Sequence, residues 1–526
     1  MNIRTTDHRA PSPFPSPFPS PFPSLSPTSV PAAAVPPPSR PGVGQLRAPY
    51  AEAVLGHAGR DWLRLNVPGH AAAPGSDLAG VFGPRITALD FPPLLDGIDL
   101  GSDTPLDGAL ALAAEAWGAR RTWFLTNGAS QGNQIASMVA PALGRTLVVQ
   151  RSVHSSVIDG LVLSGMDAVF VQPSVDPEQG IAHGVTAADV AAALERTPDA
   201  AAVYIVSPSY FGAVADVRAV ADAAHAAGVP LIVDEAWGSH FGFHPDLPAN
   251  ALSLGADLVT SSTHKLAGSL TQSAMLHLAE GPFADLLEPL VDRAFRLVQS
   301  TSASALLTAS LDLARRNLVT DADATGSSVG AADRVRGAVR ALGRFTVVSD
   351  GFHAFPDIVR ADPLRIAIDT RAGGITGHEA RRRLFRDHQV MVEVATDAAI
   401  VAVIGAGSVP DTDRFVEALH TLPSPLTTDS AGAGGAGMLR LPAPGATKLT
   451  AREAFLSPAV VVAAEEAVGR ISADTLAAYP PGIPNVLPGE VITAEAVRFL
   501  QRTATAPNGH VRGALDPGVT RLRVVA

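Results

Sequence analysis

The chain contains 526 residues, enough for about two to four domains built around at least one large hydrophobic core. Hydrophobic residues make up 47% of it and charged residues 17%, a composition that suits a folded protein and argues against extensive disorder. The absence of cysteine excludes disulfides and thiolate metal sites, and the net charge of -11 argues against a general attraction to nucleic acid or anionic membranes.

No apolar stretch approaches the length of a membrane span, and the N-terminus lacks the apolar core of a signal peptide. We therefore expect a cytoplasmic protein without a membrane anchor or a nucleic-acid partner. Lysine is almost absent, because only Lys265 and Lys448 among the 39 basic residues are lysines. Chemistry that requires a primary amine therefore has two candidates.

The first 45 residues are dominated by proline, serine and alanine, and they repeat the sequence Pro-Ser-Pro-Phe. Proline removes backbone donors and interrupts helices, so residues 1–45 are predicted to form a disordered tail. Such a tail is either a dispensable extension or a polyproline docking peptide. Residues 46–100 are interpreted as an N-terminal linker segment.

Residues 101–344 alternate short apolar, β-rich runs with alanine-rich helical stretches. This pattern is typical of a mainly parallel sheet with crossover helices, and it predicts a large α/β domain. The predicted strands are residues 122–125, 146–150, 168–171, 202–206, 231–233 and 258–260.

The same reasoning predicts a smaller α/β domain over residues 345–430. Its predicted strands are residues 364–368 and 390–394, and its predicted helices are residues 377–388 and 412–422. A Gly/Ala-rich linker at 430–437 precedes a C-terminal domain over residues 438–526. Residues 452–478 of that domain are predicted to be helical.

Polar segments follow four of the predicted strands, and open α/β sheets bind ligands at the carboxyl ends of their strands. Between Thr126 and Asn133, small residues, free amides and the Ser130 hydroxyl predict a phosphate site, with an ordinary helix N-cap as the alternative. Asp234 directly follows an apolar strand and needs a charged or hydrogen-bonded partner, such as a cationic ring nitrogen. An N-cap role is the alternative for Asp234, and Glu235 is interpreted as structural.

Lys265 follows the strand at 258–260, and a lysine near a core is costly unless its amine is neutralised or consumed. A desolvated amine with a lowered pKa is what imine formation requires. Lys448 lies in a loop and is interpreted as a surface residue. His154 follows the strand at 146–150 and is a candidate to stack on a flat cofactor, although a lone histidine is more often structural.

A phosphate site, a strand-end aspartate and a downstream lysine together require a cofactor with a phosphate, a protonatable ring nitrogen and an aldehyde. Pyridoxal 5'-phosphate carries all of these groups. The residues alone therefore predict a pyridoxal phosphate enzyme.

With these motifs, the sequence resembles the Orn/Lys/Arg decarboxylase family of fold-type I pyridoxal phosphate-dependent enzymes. The segments that carry the resemblance are residues 67–70, 124–133, 207–212, 234–237, 262–265, 479–484 and 488–490. The resemblance implies an α/β protein with an aspartate aminotransferase-like large domain, whose sheet is mainly parallel. A smaller α/β domain and a C-terminal α+β domain are implied after it.

The resemblance also implies roles for individual residues. Lys265 binds the cofactor covalently, Asp234 pairs with its ring nitrogen and His154 stacks on its ring; these are the predicted catalytic residues. The other predicted cofactor-binding residues, which line the ring or hold the phosphate, are Ala129, Ser130, Ala236, Trp237, Ser262 and His264. Ala129 stands where many relatives carry a hydroxyl group, so one phosphate contact is expected to be missing. No metal is implied.

Residues 300–304 resemble the family segment that reaches the cofactor phosphate of a neighbouring subunit. This implies a homodimer or a higher homo-oligomer with shared active sites. The implied reaction converts a small basic amino acid (lysine, ornithine or arginine) to its amine and carbon dioxide, a chemistry of polyamine biosynthesis. Glu490 is a candidate either for contact with the distal cation of the substrate or for a loop cap.

Two alternatives remain open at this point. An aminotransferase or another pyridoxal phosphate lyase is the nearest one, because fold-type I enzymes share the cofactor machinery. The second is a noncatalytic regulator or scaffold that has kept the fold.

Overall fold

The computed structural model describes residues 42–423, 442–479, 483–505 and 509–526. The predicted tail lies outside these residues up to position 41, and so does the predicted linker at 430–437. The described chain begins with a short 3-10 helix in which Gln45 is buried and donates a hydrogen bond to the Leu112 carbonyl at 3.1 Å. The end of the predicted tail is therefore ordered, and the predicted linker segment contains three α-helices.

The α-helices in chain order are α1 (Pro49–Ala58), α2 (Asp77–Phe82), α3 (Pro84–Leu89), α4 (Pro105–Trp117), α5 (Gly128–Val139), α6 (Ser155–Ser164), α7 (Ala187–Glu195), α8 (Val217–Ala226), α9 (Thr263–Leu266), α10 (Ala284–Val298), α11 (Ala305–Thr320), α12 (Ala322–Leu342), α13 (Gly377–His388), α14 (Thr412–Thr421), α15 (Ala451–Leu456), α16 (Ala464–Ala467) and α17 (Ala494–Thr505). The 3-10 helices are Val43–Leu46, Ala140–Ala142, Leu252–Leu254, Val348–Ala354 and Arg371–Gly373.

The strands in chain order are β1 (Arg121–Leu125), β2 (Thr146–Gln150), β3 (Asp167–Val171), β4 (Val175–Asp176), β5 (Ile181–Ala182), β6 (Ala200–Val206), β7 (Ala213–Ala215), β8 (Leu231–Asp234), β9 (Leu258–Ser261), β10 (Ala274–Leu278), β11 (Thr346–Val347), β12 (Ile358–Ala361), β13 (Arg365–Asp369), β14 (Val394–Ala395), β15 (Ala399–Val403), β16 (Ala459–Ala463), β17 (Leu476–Tyr479), β18 (Ile483–Val486), β19 (His510–Arg512) and β20 (Arg521–Val525). The helices and strands of the described residues fall into several sheets with covering helices, and no helix among them is long and apolar enough to cross a membrane.

The largest sheet has seven strands in the order β1-β10-β9-β8-β6-β2-β3. The pairs from β9 to β3 are parallel, and β10 runs antiparallel to both of its neighbours. Both faces are buried, since Val203 and Ile205 of β6 join one apolar cluster while Ala202 and Tyr204 join another. Burial on both faces explains why these strands read as continuous apolar runs.

The six strands predicted for the large domain are all present, within one or two residues at their ends. Strand β10 was not predicted, because a five-residue apolar run does not by itself distinguish a strand from a buried helical segment. Its pairing with β1 and β9 is a tertiary contact that local periodicity does not reveal.

A second sheet has four antiparallel strands in the order β11-β13-β15-β14. The predicted strand at 364–368 and helix at 377–388 match β13 and α13. The predicted strand at 390–394 is wrong over most of its length, since only Val394 and Ala395 pair with β15. Apolar residues 390–392 approach the sheet without entering its hydrogen-bond ladder.

The predicted helix at 452–478 is also wrong. The chain there forms α15, β16, α16 and the beginning of β17. Pro458 ends the helical start because it lacks a backbone donor, and the β-branched residues that follow pair with β20. Residues 459–463 therefore form strand β16 because they pair with β20, a strand about 60 residues further along the chain.

Gly132 allows helix α5 to lie directly on the large sheet. A Cβ atom at this position would lie 2.6 Å from Cγ2 of Thr260 in β9 and 3.1 Å from Cδ1 of Leu125 in β1. Because the first distance is shorter than real Cβ contacts and the second is tighter than most of them, a side chain at position 132 would force the helix away from the sheet. The glycine therefore keeps the start of α5 close to the carboxyl ends of β1 and β9.

We predict that Gly132→Ala lowers the free energy of unfolding by about 1–3 kcal/mol, because an added methyl group overpacks the contact between α5 and the sheet. Gly337→Ala in α12 is the matched control, since a Cβ at this exposed helical position meets no atom within 4 Å. Higher helix propensity should make the control neutral or stabilise it by up to about 1 kcal/mol. Urea unfolding measures both changes, and equal stability of Gly132→Ala and the wild type would contradict the close approach.

Candidate active site

The predicted site residues follow strands whose carboxyl ends lie at one edge of the large sheet. Strand β8 ends at Asp234, β9 is followed by Lys265, and β2 is followed by His154. Strand β1 runs in the same direction as β9, because β10 is antiparallel to both, and it leads into α5. The fold therefore collects all four segments at the edge where open α/β sheets bind ligands.

Lys265 lies in the short helix α9, and its side chain is half-buried. Its Nζ atom is 3.9 Å from the centroid of the Trp237 ring, which is a cation-π distance. Burial lowers the pKa of this amine to about 8, the negative charge of Asp234 opposes the shift, and the positive charge of Arg365 adds to it. Near pH 8, about half of the Lys265 amine is therefore neutral and nucleophilic.

Asp234 is buried, and both of its carboxylate oxygens accept hydrogen bonds. Oδ2 accepts from Nδ2 of Asn133 at 2.8 Å, and Oδ1 accepts from the Ala236 amide at 3.0 Å. Burial raises the pKa of Asp234, whereas the charge of Lys265 and these donors lower it. A carboxylate held in this way would gain from a cationic partner, and a protonated ring nitrogen is a fitting one.

Asn133 connects Asp234 to the loop that carries His154. The Tyr204 hydroxyl donates to Oδ1 of Asn133 at 2.9 Å, which directs the amide Nδ2 atom toward Asp234. The same Nδ2 atom lies 2.9 Å from Oγ of Ser156, and that hydroxyl lies 2.8 Å from Nδ1 of His154. The network fixes the carboxylate and the imidazole relative to each other.

His154 is the N-cap residue of α6, and its Nδ1 atom accepts from the Ser156 amide at 3.2 Å. Burial lowers the pKa of His154 to about 4, and the positive charges of Lys265 and Arg512 add to the shift. The ring is therefore neutral at physiological pH. A neutral, flat ring at this position fits stacking on a planar cofactor.

The start of α5 has the geometry of an anion site. Gly128 adopts a positive φ of 70°, and the side chain of the N-cap residue Asn127 makes no cap hydrogen bond, although Oε1 of Gln131 accepts from the Asn127 amide at 3.2 Å. Ala129 is buried and Ser130 is half-buried, and free amides at a helix start attract anions. As expected from the sequence, Ala129 contributes no hydroxyl.

His264 is joined to this helix start through the 272–273 loop, and Ser262 is the buried residue that precedes α9. Gly128 donates to the carbonyl of Gln272 at 2.7 Å, while Nδ1 of His264 lies 2.8 Å from the carbonyl of the next residue, Ser273. Nδ1–H of His264 therefore donates, which leaves Nε2 available to a ligand. The two segments of the predicted phosphate site are joined through one short loop.

Trp237 lies below Lys265, and Ala236 donates to Asp234. Tyr210 packs edge-to-face against Trp237, with 6.1 Å between the ring centroids. The Nε1 atom of Trp237 is buried without a hydrogen-bond partner among the described residues. Lys265 therefore contacts Trp237, and Ala236 contacts Asp234. His154 is connected to Asp234 through Ser156 and Asn133.

Arg365 belongs to this region and was missed by sequence reasoning. It begins β13, and its Cζ atom lies 3.6 Å from the centroid of the Trp237 ring. Nη1 donates to the carbonyl of Tyr210 at 2.6 Å, while Nε and Nη2 lack hydrogen-bond partners in the part of the chain that is described. Burial lowers the pKa of Arg365 to about 10, against the opposing charge of Asp362. At neutral pH Arg365 therefore remains a buried cation, and two of its nitrogen atoms can still donate hydrogen bonds to a ligand.

One signal for Arg365 is present in the sequence, in the 207–212 segment. Gly212 has a φ of 88°, and a Cβ at this position would lie 2.8 Å from Cβ of Arg365. The glycine is thus required where the two segments meet. The sequence alone did not identify the partner, since Arg365 is remote along the chain.

Glu490 lies elsewhere, in contact with Arg151 at 3.2 Å, and both side chains are buried. Its Oε2 atom also accepts from the Leu487 amide at 2.9 Å, which matches the loop-cap alternative. Glu235 accepts from the Ala251 amide at 2.9 Å, in agreement with its structural interpretation. Neither carboxylate belongs to the group around Lys265.

Two sequence-family models match the chain. Residues 48–354 match the major domain of the Orn/Lys/Arg decarboxylases, and residues 438–509 match their C-terminal domain. Among curated relatives, an arginine decarboxylase of Bacillus anthracis is 32% identical over 92% of this chain and 98% of its own length. An arginine decarboxylase of Halalkalibacterium halodurans is 33% identical over 91% of this chain and 98% of its own length.

Solved structures show the same architecture. Lysine decarboxylase A from Pseudomonas aeruginosa superimposes with a TM-score of 0.76 at 20% identity, covering 92% of this chain and 81% of that one. The constitutive lysine decarboxylase of Escherichia coli gives a TM-score of 0.72 at 21% identity, with coverages of 91% and 82%. The predicted fold-type I architecture is thereby confirmed. With the match of its major domain and its full-length relatives, the chain belongs to the Orn/Lys/Arg decarboxylase family.

Proposed function

We propose that the protein decarboxylates a basic L-amino acid, with arginine as the first candidate, and that it uses pyridoxal phosphate as its cofactor. The observation that carries the proposal is the Lys265 amine, whose pKa is lowered to about 8 beside the buried carboxylate of Asp234. Full-length relatives named arginine decarboxylase support arginine over lysine and ornithine.

The residues around Lys265 fit the cofactor. Asp234 would pair with the ring nitrogen, His154 would stack on one face of the ring, and Ala236 and Trp237 would line the other. Ala129, Ser130, Ser262 and His264 would hold the phosphate at the start of α5. When bound, pyridoxal phosphate supplies an aldehyde for an amine and a ring that accepts the electron pair released with carbon dioxide.

The side chains of the protein perform three tasks in this proposal. Lys265 would supply the amine that binds the cofactor covalently. Asp234, fixed by Asn133 and the Ala236 amide, keeps a proton on the ring nitrogen. Each turnover breaks the bond between Cα and the carboxylate carbon, releases carbon dioxide and adds one proton from the medium to Cα.

Arg365 binds the carboxylate of the substrate. Its guanidinium group is buried, its Nε and Nη2 donors have no partner among the described residues, and a carboxylate accepts from such donors in a charge-assisted contact. Glu393 is an exposed carboxylate whose negative charge raises the pKa of both Lys265 and Arg365. Its charge supports attraction of the distal cation of a basic amino acid toward the same site.

We further propose a cytoplasmic homodimer with shared active sites. Large apolar side chains exposed in the N-terminal part of the described chain support burial against a second copy; they include Leu63, Leu65, Val81 and Phe82. Residues 300–304 are the candidate segment for contact with the cofactor phosphate of the partner.

The test of the proposed function is a product assay with arginine, lysine and ornithine. Release of carbon dioxide with one equivalent of the matching amine supports a decarboxylase. Formation of an oxo acid without carbon dioxide would instead identify a transaminase. A reconstituted protein that converts none of a wide panel of amino acids would favour the noncatalytic scaffold.

We predict that Lys265→Ala lowers decarboxylation by at least about 10³-fold, because no other residue at this edge supplies a primary amine. Lys448→Ala is the matched control, since Lys448 is the other lysine of the chain and is exposed. Turnover of the control should stay within about twofold of the wild type. Borohydride reduction followed by peptide mapping should find the cofactor at residue 265, and labelling at residue 448 would refute the assignment.

We predict that cofactor-free enzyme captures pyridoxal phosphate at a rate that rises with pH and levels off above about pH 8. Only the neutral amine attacks an aldehyde, and the lowered pKa leaves about a tenth of the Lys265 amine neutral at about pH 7. Absorbance of the protein-bound cofactor follows the initial rate, with Lys265→Ala as the blank. A rate that still rises tenfold per pH unit near pH 10 would contradict the lowered pKa.

We predict that Arg365→Leu raises KM for the amino acid by about 10–100-fold, the loss expected for a charge-assisted hydrogen bond. The value of kcat should not fall by more than about threefold, because the carboxylate loses its charge on the way to the transition state and Arg365 therefore stabilises the ground state at least as well as the transition state. The product amine, which has no carboxylate, serves as the control ligand. Its inhibition constant should stay within about twofold of the wild-type value, and a matching rise in that constant would argue against a carboxylate subsite.

A further inference from the structure

We propose that a buried hydrogen-bonded pair, His240 and Asp362, is a positioning device that holds Arg365 over the Trp237 ring. The inference rests on the proposed function, since it concerns how that function's carboxylate subsite is built. His240 and Asp362 are positioning residues in this proposal, because neither contacts the substrate.

The pair is buried away from solvent, and the positive charge of Arg365 acts on the Asp362 carboxylate. Nε2 of His240 lies 3.0 Å from Oδ1 of Asp362, and both side chains are fully buried. Nδ1 of His240 and Oδ2 of Asp362 have no hydrogen-bond partner among the described residues. Because polar groups are costly to bury, the contact between these side chains holds the His240 ring in place, whereas Asp362 also accepts from a backbone amide.

One end of the pair belongs to the loop that follows β8. This loop carries Asp234, Trp237 and His240 in succession. Tight turns fix its path, since Gly238 donates to the carbonyl of Glu235 at 2.8 Å and Phe241 donates to the carbonyl of Gly238 at 2.9 Å. The position of His240 is therefore tied to the position of the Trp237 ring.

The other end of the pair belongs to the turn that leads into β13. Oδ1 of Asp362 accepts from the Leu364 amide at 3.0 Å. The backbone carbonyl of Asp362 accepts from the Arg365 amide at 3.2 Å. The Asp362 amide donates to the Gly212 carbonyl at 2.8 Å. Asp362 thus shapes the turn from which Arg365 extends.

The pair consequently connects the loop after β8, which carries the Trp237 ring, to the turn before β13, which carries the Arg365 guanidinium stacked on that ring. The guanidinium of Arg365 lies 3.6 Å from the Trp237 ring and has one hydrogen bond, to the Tyr210 carbonyl. Loss of the contact between His240 and Asp362 would let the β13 turn shift against the β8 loop. Arg365 would then lose its fixed orientation toward the substrate carboxylate while the remainder of the site stays intact.

The test uses the holoenzyme and two variants of His240. His240→Leu removes the contact with Asp362, whereas His240→Gln keeps an Nε2 donor of comparable reach. We expect His240→Leu to raise KM for the amino acid by about 5–10-fold while the inhibition constant of the product amine stays within about twofold. His240→Gln should restore KM to within about threefold of the wild type.

His225→Leu is the matched control. Nε2 of His225 lies 2.8 Å from Oδ2 of Asp257, so this is another His–Asp pair that holds the fold together. Asp257 directly precedes β9 and also accepts from the Leu231 amide, so this pair lies at the amino ends of β8 and β9, opposite the site. The control should lower the thermal midpoint without changing KM.

Three outcomes would overturn the proposal: unchanged KM in His240→Leu, equal rises in KM and in the inhibition constant, or no recovery in His240→Gln. A wild-type enzyme that releases no carbon dioxide would refute the proposed function and not the pair. In that case the emission of Trp237, obtained by subtraction of a Trp237→Phe spectrum, decides the question. The proposal requires this emission to change in His240→Leu and not in His240→Gln, because the guanidinium stacked on the ring would move.

Discussion

Burial of the Lys265 amine at the carboxyl edge of the large sheet constrains the surrounding structure. A lysine in this position loses hydration, so its pKa falls to about 8 and the charge of Asp234 limits the fall. Asp234 in turn is buried and depends on donors from Asn133 and Ala236. The sheet brings these groups together because parallel strands direct the segments that follow them to one edge. An amine that is both protected and reactive follows from that arrangement.

The layer behind the reactive groups supplies rigidity. Tyr204 directs the amide of Asn133, and the hydroxyl of Ser156 connects that amide to His154. Gly132 holds α5 against β9, so that the start of the helix stays beside the segment of Lys265. Fully bonded buried networks of this kind restrict each side chain to one orientation, which is what a site for a planar cofactor and a reacting bond requires.

The Trp237 ring contacts two basic side chains that come from different parts of the fold. Lys265 and Arg365 both approach its ring, at 3.9 Å and 3.6 Å from the centroid. Arg365 comes from the four-stranded sheet, and Lys265 comes from the short helix that follows β9 of the seven-stranded sheet, so the proposed substrate would lie between groups from both. In a family whose members share cofactor chemistry, such contacts outside the cofactor decide which bond of the substrate is broken and which substrates bind.

The amino-acid sequence by itself determined six of the seven strands of the large sheet, the helix at 377–388 and the residues that follow the strand ends, because these depend on local periodicity and on composition. A chain with two lysines made Lys265 conspicuous. Tertiary structure alone decided the features that depend on remote partners. Strand β10 pairs with β1 and β9, β16 pairs with β20 in place of a predicted helix, and Arg365 reaches Trp237 across the fold. Local patterns report which face of an element is apolar, whereas partners distant in sequence are chosen only when the chain packs.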